Sequence, residues 1–413
     1  MTLLAHPFGN ANVRAVLAAL HGAGKLSKFV TALGWSNASW PNQLLPKIRS
    51  LMARRSYELP RNKIKTMARR EIVRLLAQKA NQQWLITHER GWASIDRVWQ
   101  EVDQDAAAFL GKFYRSEEIE TAYAYEDCAE QLFRQAKEIG VHRVYDLPIA
   151  HWQVSRQLLK EELERYPDWG FTLGGARDSE EKLNRKTMEL DLAEMVICPS
   201  RFVFDSLPEK TKAAKKCLVI PFGSPVSRTI ELSKNRSKNG RLRVLFAGAL
   251  TQRKGLADLF EAMKLIGSSK IELVVMGALL GRLSWYREQF SDFTYEAPRP
   301  HREVLQLMQT CDVLVLPSIV EGRALVQQEA MACGLPLIVT KNAGGDDLIL
   351  TGETGFLVPI REPKAIAEKI DWFASNRERI AGMAIAAQRR ASERTWSAYG
   401  EEVLHAIQSV GDR

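Results

Sequence analysis

The sequence predicts an α/β protein built as two parallel-sheet domains. From Arg241 onward, apolar β-branched segments alternate with helix-forming ones, the order expected of a parallel sheet covered by helices. The chain also opens in β-loop-α-β order, with strands expected at 2–6 and 26–33 around a helix at 11–21. Between the halves, residues 232–241 contain a single apolar residue, Leu232, and read as a basic linker. The expected division is a first domain at 1–231, the linker at 232–241, a second domain at 242–394 and a terminal helix at 395–413.

Each half can be read further. In the first, a long basic helical region is followed by strands at 123–126 and 143–147, with a helix at 128–139 between them that Gly140 ends. A charged helix at 154–166 precedes strands at 195–198 and 217–220, which run into Pro199 and Pro221. In the second, strands at 244–247, 272–276, 313–316 and 336–340 alternate with helices at 256–266, 302–309 and 325–332. Sheets of this kind hold ligands at the carboxyl ends of their strands.

Composition bounds the class. With 413 residues, 46% of them apolar and 26% charged, the chain is that of a soluble globular protein with two or three cores. No run approaches the roughly 20 apolar residues of a membrane span, and the start lacks a signal-peptide layout, so a cytoplasmic address is expected. The five cysteines are scattered without C-x-x-C spacing, which indicates neither a disulfide framework nor a zinc site. The net charge of +9 concentrates at residues 47–79, where cations such as Arg54, Arg55, Arg69 and Arg70 interleave with apolar residues and only Glu58 and Glu71 interrupt. Such a segment suits either a solvated helix joined to the core or the surface of an anionic membrane. Nothing else in the chain supports nucleic acid as a partner.

The most informative stretch runs from Pro317 to Pro336. An apolar strand leads into a loop holding Glu321, Gly322, Arg323 and Ala324, and Leu325 then starts a helix that carries Glu329 and ends at Gly334. Unpaired N–H groups and the positive end of the helix dipole suit an anion at the loop–helix junction. Two carboxylates are out of place at a simple phosphate site, but they suit hydroxyl groups. A nucleotide-sugar, with phosphates between two polyols, satisfies both halves of the pattern.

This block resembles the signature of retaining glycosyltransferases of the family-4 type, glycosyl transferases group 1, in which two glutamates seven residues apart precede Ala-Met-Ala-x-Gly-x-Pro. The resemblance covers residues 241–396 well and the first half weakly. It implies the GT-B fold, two facing Rossmann-like domains with an interdomain cleft, and a last helix crossing back to the first domain. It also implies that Glu329 binds the nucleotide ribose and that Glu321 contacts the transferred sugar. Arg323 and Ala324 stand where that family usually has an aromatic residue and a glycine, so a differently shaped or charged sugar pocket is expected.

The segment 245–255 is strand, glycine turn and helix start. Gly248 permits close backbone approach, and Arg253 and Lys254 can neutralise a departing diphosphate. It resembles the family's phosphate loop, with Lys254 at the matching lysine. Ala249 replaces the family's frequent arginine, which leaves Arg253 to supply the second charge. The Gly344-Gly345 loop matches a largely structural family feature. In the first domain, Gly9 after the first strand and His151 after the strand at 143–147 stand where the family often has a glycine and a histidine near donor phosphate and acceptor.

The expected catalytic set is therefore Glu321, Lys254, Arg253 and His151. The donor-binding set is Glu329, Gly248, Gly322, Arg323, Ala324, Leu325 and Gly9. No cofactor or metal is expected, because no Asp-x-Asp sits at a strand end and Asp346-Asp347 in the glycine-rich loop is a poor substitute. The function implied is transfer of a sugar from a UDP- or GDP-linked donor to a glycan or lipid-linked glycan acceptor, in bacterial surface polysaccharide or glycoconjugate synthesis, with peripheral contact to the inner face of the cell membrane. The alternatives are a sugar-nucleotide epimerase of the same fold and a non-catalytic nucleotide-sugar-binding subunit.

Overall fold

The structure is a computed structural model that describes residues 1–37, 55–225, 240–267 and 269–410. Most of the expected linker and residues 47–54 of the basic stretch lie outside the described residues. The strands in chain order are β1 (Thr2–Ala5), β2 (Leu26–Thr31), β3 (Trp35–Ser36), β4 (Ser56–Tyr57), β5 (Ile64–Thr66), β6 (Thr121–Tyr125), β7 (His142–Asp146), β8 (Met195–Cys198) and β9 (Lys216–Val219). They continue with β10 (Leu242–Ala247), β11 (Ile271–Met276), β12 (Phe293–Glu296), β13 (Val313–Leu316), β14 (Leu337–Val339) and β15 (Gly355–Leu357).

Two sheets result, ordered β5-β2-β1-β6-β7-β8-β9 and β12-β11-β10-β13-β14-β15, with β3 and β4 paired apart. Every pairing in both sheets is parallel. Strands buried on both faces must be apolar along their whole length, which is why Val313–Leu316 reads Val-Leu-Val-Leu with no exposed position. Strand order reverses between β1 and β6 in the first sheet and between β10 and β13 in the second. These are the switch points at which loops diverge and leave a crevice.

Two elements cross between the domains. The helix Trp396–Gln408, capped by Thr395 Oγ1 accepting from Ala398 N at 3.2 Å, buries Tyr399 and Val403 in the cluster around Val13, Leu17 and Phe29 of the first domain. In the other direction, the 3₁₀ turn Pro167–Thr172 buries Trp169 in the core of the second domain, where its ring centroid lies 4.9 Å from that of Trp285 and 6.0 Å from that of Phe260.

The basic region departs from expectation. Its described part is not one amphipathic helix but β4, β5 and a helix at Arg69–Lys79. That helix is inverted: the Glu71 side chain is fully buried and is held by Arg55 and by Arg74 at 2.7 Å, whereas Ile72 and Leu76 are 44% and 60% exposed. A buried carboxylate needs partners, and two arginines facing inward fix which side of the helix packs. Ile95–Phe113, a helix capped by Ser94, was not singled out by the alternation of strands and helices.

Candidate functional site

The second sheet's switch point brings together the loops after β10 and β13. The first carries Gly248, Arg253 and Lys254, and the second carries Glu321, Gly322 and Arg323. Gly248 has φ +145°, and a Cβ there would lie 2.9 Å from the Cδ and Cε of Lys254, so the glycine lets the lysine stem fold back over its own loop. Ile319 N and Val320 N both donate to Arg253 O, at 2.9 and 3.2 Å, which ties the two loops together through backbone.

Charge converges at this junction. Glu321 Oε1 is 3.0 Å from Arg253 Nη1 and closer still to Lys254 Nζ, and Arg253 Nη1 also donates to Val320 O at 2.8 Å. Burial alone would push the Glu321 carboxyl up, but Arg253 and then Lys254 outweigh it and hold it below the usual range. Burial pulls Lys254 down from its ordinary value against the opposing pull of Glu321. The cluster is thus one carboxylate with two cations, a net positive charge at the mouth of a parallel sheet. It can accept anionic oxygens without first gathering its own counter-charges.

Gly322 sits where the domains touch. A Cβ there would fall 1.6 Å from Pro148 O, and Gly322 O accepts from Ser200 Oγ at 2.6 Å. Ile319 and Val320 pack with Ala150, Leu159 and Leu173 of the first domain. The loop 148–151 therefore lies directly across from the Glu321 loop, and His151 at its end is 4% exposed. Burial, helped by Lys186, pushes the His151 imidazole down to about 4, so it is neutral at ordinary pH. Its Nδ1 has no hydrogen-bond partner among the described residues.

The remaining residues are placed as follows. Ala324 N donates to Ala343 O at 3.1 Å, and the helix Leu325–Ala332 begins without a side-chain cap or an acidic residue in its first turn, which leaves its positive end uncompensated. Leu325 packs toward the first-domain cluster that contains Phe222 and Tyr399. Glu329 is partly exposed and pairs with His301 Nε2 at 2.9 Å, a contact that raises the His301 imidazole. Gly9 lies at the first sheet's switch point, where a Cβ would come within 2.3 Å of the Tyr57 ring.

Arg323 requires a correction. Its side chain is fully buried and forms a bidentate pair with Asp347, at 2.5 and 3.0 Å, with a further bond to Gly344 O at 2.9 Å. The guanidinium braces two loops, so the differently charged sugar pocket expected from Arg323 is not formed by it. Sequence reasoning missed His301 and Ser200, which touch Glu329 and Gly322. Neither stands in a motif, and each reaches its partner only through the tertiary fold.

Comparison with solved structures defines the class. The sucrose-phosphate synthase of Thermosynechococcus elongatus superposes with a TM-score of 0.68 at 16% identity, over 99% of this chain and 98% of its own. The Anabaena protein HepE, solved in complex with UDP-glucose, gives 0.62 at 18% identity over 99% of both chains. The chain has the GT-B fold. More particularly, residues 227–390 match the family model described as glycosyl transferases group 1. In sequence the chain is 29% identical over 188 residues to an uncharacterized glycosyltransferase of Methanocaldococcus jannaschii, across 45% of this chain and 51% of that protein. It is 29% identical over 177 residues to the capsular polysaccharide biosynthesis glycosyltransferase CapM of Staphylococcus aureus, across 38% and 45%. The chain spans about half the length of these curated relatives.

Proposed function

We propose that the protein is a retaining, metal-independent glycosyltransferase that moves a sugar from a UDP- or GDP-linked donor to a glycan or lipid-linked glycan. The observation that carries this reading is the Arg253–Lys254–Glu321 cluster at the second sheet's switch point, beside an uncapped helix N-terminus. In this reading Arg253, Lys254 and the helix N–H groups receive the diphosphate, Glu329 accepts from the ribose hydroxyls, and Glu321 turns from its cations to the sugar. As the bond from the anomeric carbon to the diphosphate breaks, the acceptor oxygen bonds on the same face and its proton passes to the leaving phosphate. The cations come from the protein, so no divalent ion is needed to meet the developing charge. His151, neutral and with Nδ1 unpartnered, suits a hydrogen bond to donor or acceptor from across the cleft. HepE is solved with UDP-glucose and CapM is named for capsular polysaccharide, which supports a nucleotide-sugar donor and a surface-glycan product.

Titration with nucleoside diphosphates tests the donor site. Glu329→Ala should weaken binding by about 1.5 to 3 kcal/mol, on the order of ten- to a hundredfold. Equal affinity in variant and wild type would remove Glu329 from the site.

For a lipid-linked acceptor the first domain must reach a bilayer. Among the described residues no helix is long and apolar enough to cross a membrane. The inverted helix Arg69–Lys79 offers another route, with Ile72 and Leu76 exposed along with the cations Arg69 and Lys79, and Trp84 70% exposed on the next helix, Gln83–Ile86. Wild type should co-sediment with anionic but not neutral vesicles, and less so at high salt. Leu76→Ser with Trp84→Ser should abolish this. Binding that survives in that variant, or none in the wild type, would point to a soluble acceptor.

A further inference from the structure

The phosphate loop is held from two sides, and only one of them is the Glu321 block. On the other side stands Glu162, in the helix Trp152–Arg165 of the first domain, with its side chain fully buried. Its Oε2 accepts from Gln252 Nε2 at 2.6 Å, and its Oε1 accepts from Arg361 Nε at 2.6 Å and from Arg165 Nη1 at 3.0 Å. Gln252 is the residue immediately before Arg253 and is itself fully buried. Its Nε2 also donates to Asp258 Oδ2 at 2.7 Å, and its Oε1 accepts from Ala257 N at 2.8 Å, so the amide is held on three sides. The turn Pro167–Thr172 adds backbone contacts: Gln252 N donates to Thr172 Oγ1 at 3.2 Å and Thr251 Oγ1 donates to Thr172 O at 2.8 Å. Trp169, buried in the second domain's core, fixes that turn in place.

We propose that Glu162 is a positioning residue for the donor-phosphate loop, coupling the seating of the two domains to the placement of Arg253 and Lys254; this rests on the donor reading above. Glu162 touches neither cation. It acts through Gln252, whose backbone leads directly into Arg253, while Arg361 and Arg165 keep the carboxylate from following any movement of the loop. All of these contacts to Glu162 come from donors, so an amide in its place would set an N–H₂ against another donor and release one side of the cradle. The loop would then be free to shift relative to Glu321 with no contact to substrate changed directly, and a displacement of about 1 Å is enough to cost on the order of a hundredfold in rate.

The test is a double-mutant cycle on the full chain, with Glu162→Gln, Glu162→Asp, Lys254→Ala and the Glu162→Gln/Lys254→Ala double variant, reading kcat and donor KM. Glu162→Gln should lower kcat on the order of ten- to a hundredfold with donor KM moved less than about threefold. Glu162→Asp, which keeps the charge, should recover part of the loss. Glu162→Gln should cost a smaller factor in the Lys254→Ala background than in the wild type, because only Arg253 is then left on the loop for Glu162 to place. Unchanged kinetics in Glu162→Gln, or the same fractional loss with and without Lys254, overturns the proposal, since general loosening would give the latter. Should Glu162→Gln not fold, Arg361→Gln removes one of the two second-domain donors that hold the same carboxylate, leaves Gln252 as the other, and enters the cycle with losses expected in the same direction. Nucleoside diphosphate titration, which needs no turnover, separates the two readings. A wild type that binds none of them overturns the donor site and this proposal together, whereas normal binding with an additive cycle overturns this proposal alone.

Discussion

Lys254→Ala should cut turnover by about 2.7 to 4 kcal/mol of transition-state stabilisation, on the order of a hundred- to a thousandfold, with the donor's dissociation constant moved far less. The reason is the balance of charge at the switch point. In the ground state the diphosphate carries its charge on a bond still shared with the sugar, and Arg253 with the helix N–H groups meets part of it. As that bond breaks, the leaving oxygen gains charge next to the lysine, so the ammonium contributes most in the transition state. Removing it also leaves the Glu321 carboxylate with one cation instead of two, and a like charge then faces the departing phosphate. Steady-state kinetics beside titration of a nucleoside diphosphate reads the split. Equal losses in kcat and in affinity would show that Lys254 only binds, and no loss in either would remove it from the site.

Gly322→Ala should be at least as damaging, for a steric reason. The added methyl would lie 1.6 Å from Pro148 O, and the neighbouring atoms are backbone of the other domain, not the end of a flexible side chain that could swing aside. Gly322 O is also bonded to Ser200 Oγ, so the loop cannot retreat without losing a buried contact. Overpacking of this kind costs about 1 to 3 kcal/mol in stability. The greater effect is on the cleft, where parting the domains moves the 148–151 loop and His151 away from Glu321 and should reduce turnover on the order of a hundredfold or more. A variant that melts near wild type but has lost its turnover is the expected result. Wild-type turnover would mean that the two loops need not touch for the reaction.

Local pattern carried much of this architecture. The strands Met195–Cys198 and Val313–Leu316 and the helices Leu256–Ile266 and Leu325–Ala332 match their expected bounds, because continuous apolar runs and glycine or proline stops act within a few residues. The helix Ile95–Phe113 was passed over, although Val98, Val102, Ala106, Phe109 and Leu110 lie on one buried face behind the Ser94 cap. What local pattern cannot encode is the partner of a charge. Arg323 read as a pocket cation until Asp347, 24 positions on, took its charge. Glu162 fell within a helix read only as charged, at 154–166, yet Arg361 reaches it from 199 positions away. The helix Arg69–Lys79 shows the same limit, since its apolar stripe predicts one buried face and the arginines that hold Glu71 impose the other. Lys254 and Glu321 were each named from motifs, but their contact follows from β10 and β13 being neighbours.

The central claim is that the cluster at this switch point serves sugar transfer with protein-supplied cations. The most direct measurement follows a set of sugar nucleotides labelled in the sugar, incubated with the purified protein, a membrane and glycan extract as acceptor source, and a chelator of divalent metals. The account predicts that label leaves the nucleotide and appears on an acceptor with its anomeric configuration kept, at a rate the chelator leaves largely unchanged. Label that stays on every nucleotide the protein binds, whether intact or as an isomer of the starting sugar, or transfer that the chelator abolishes, would contradict it.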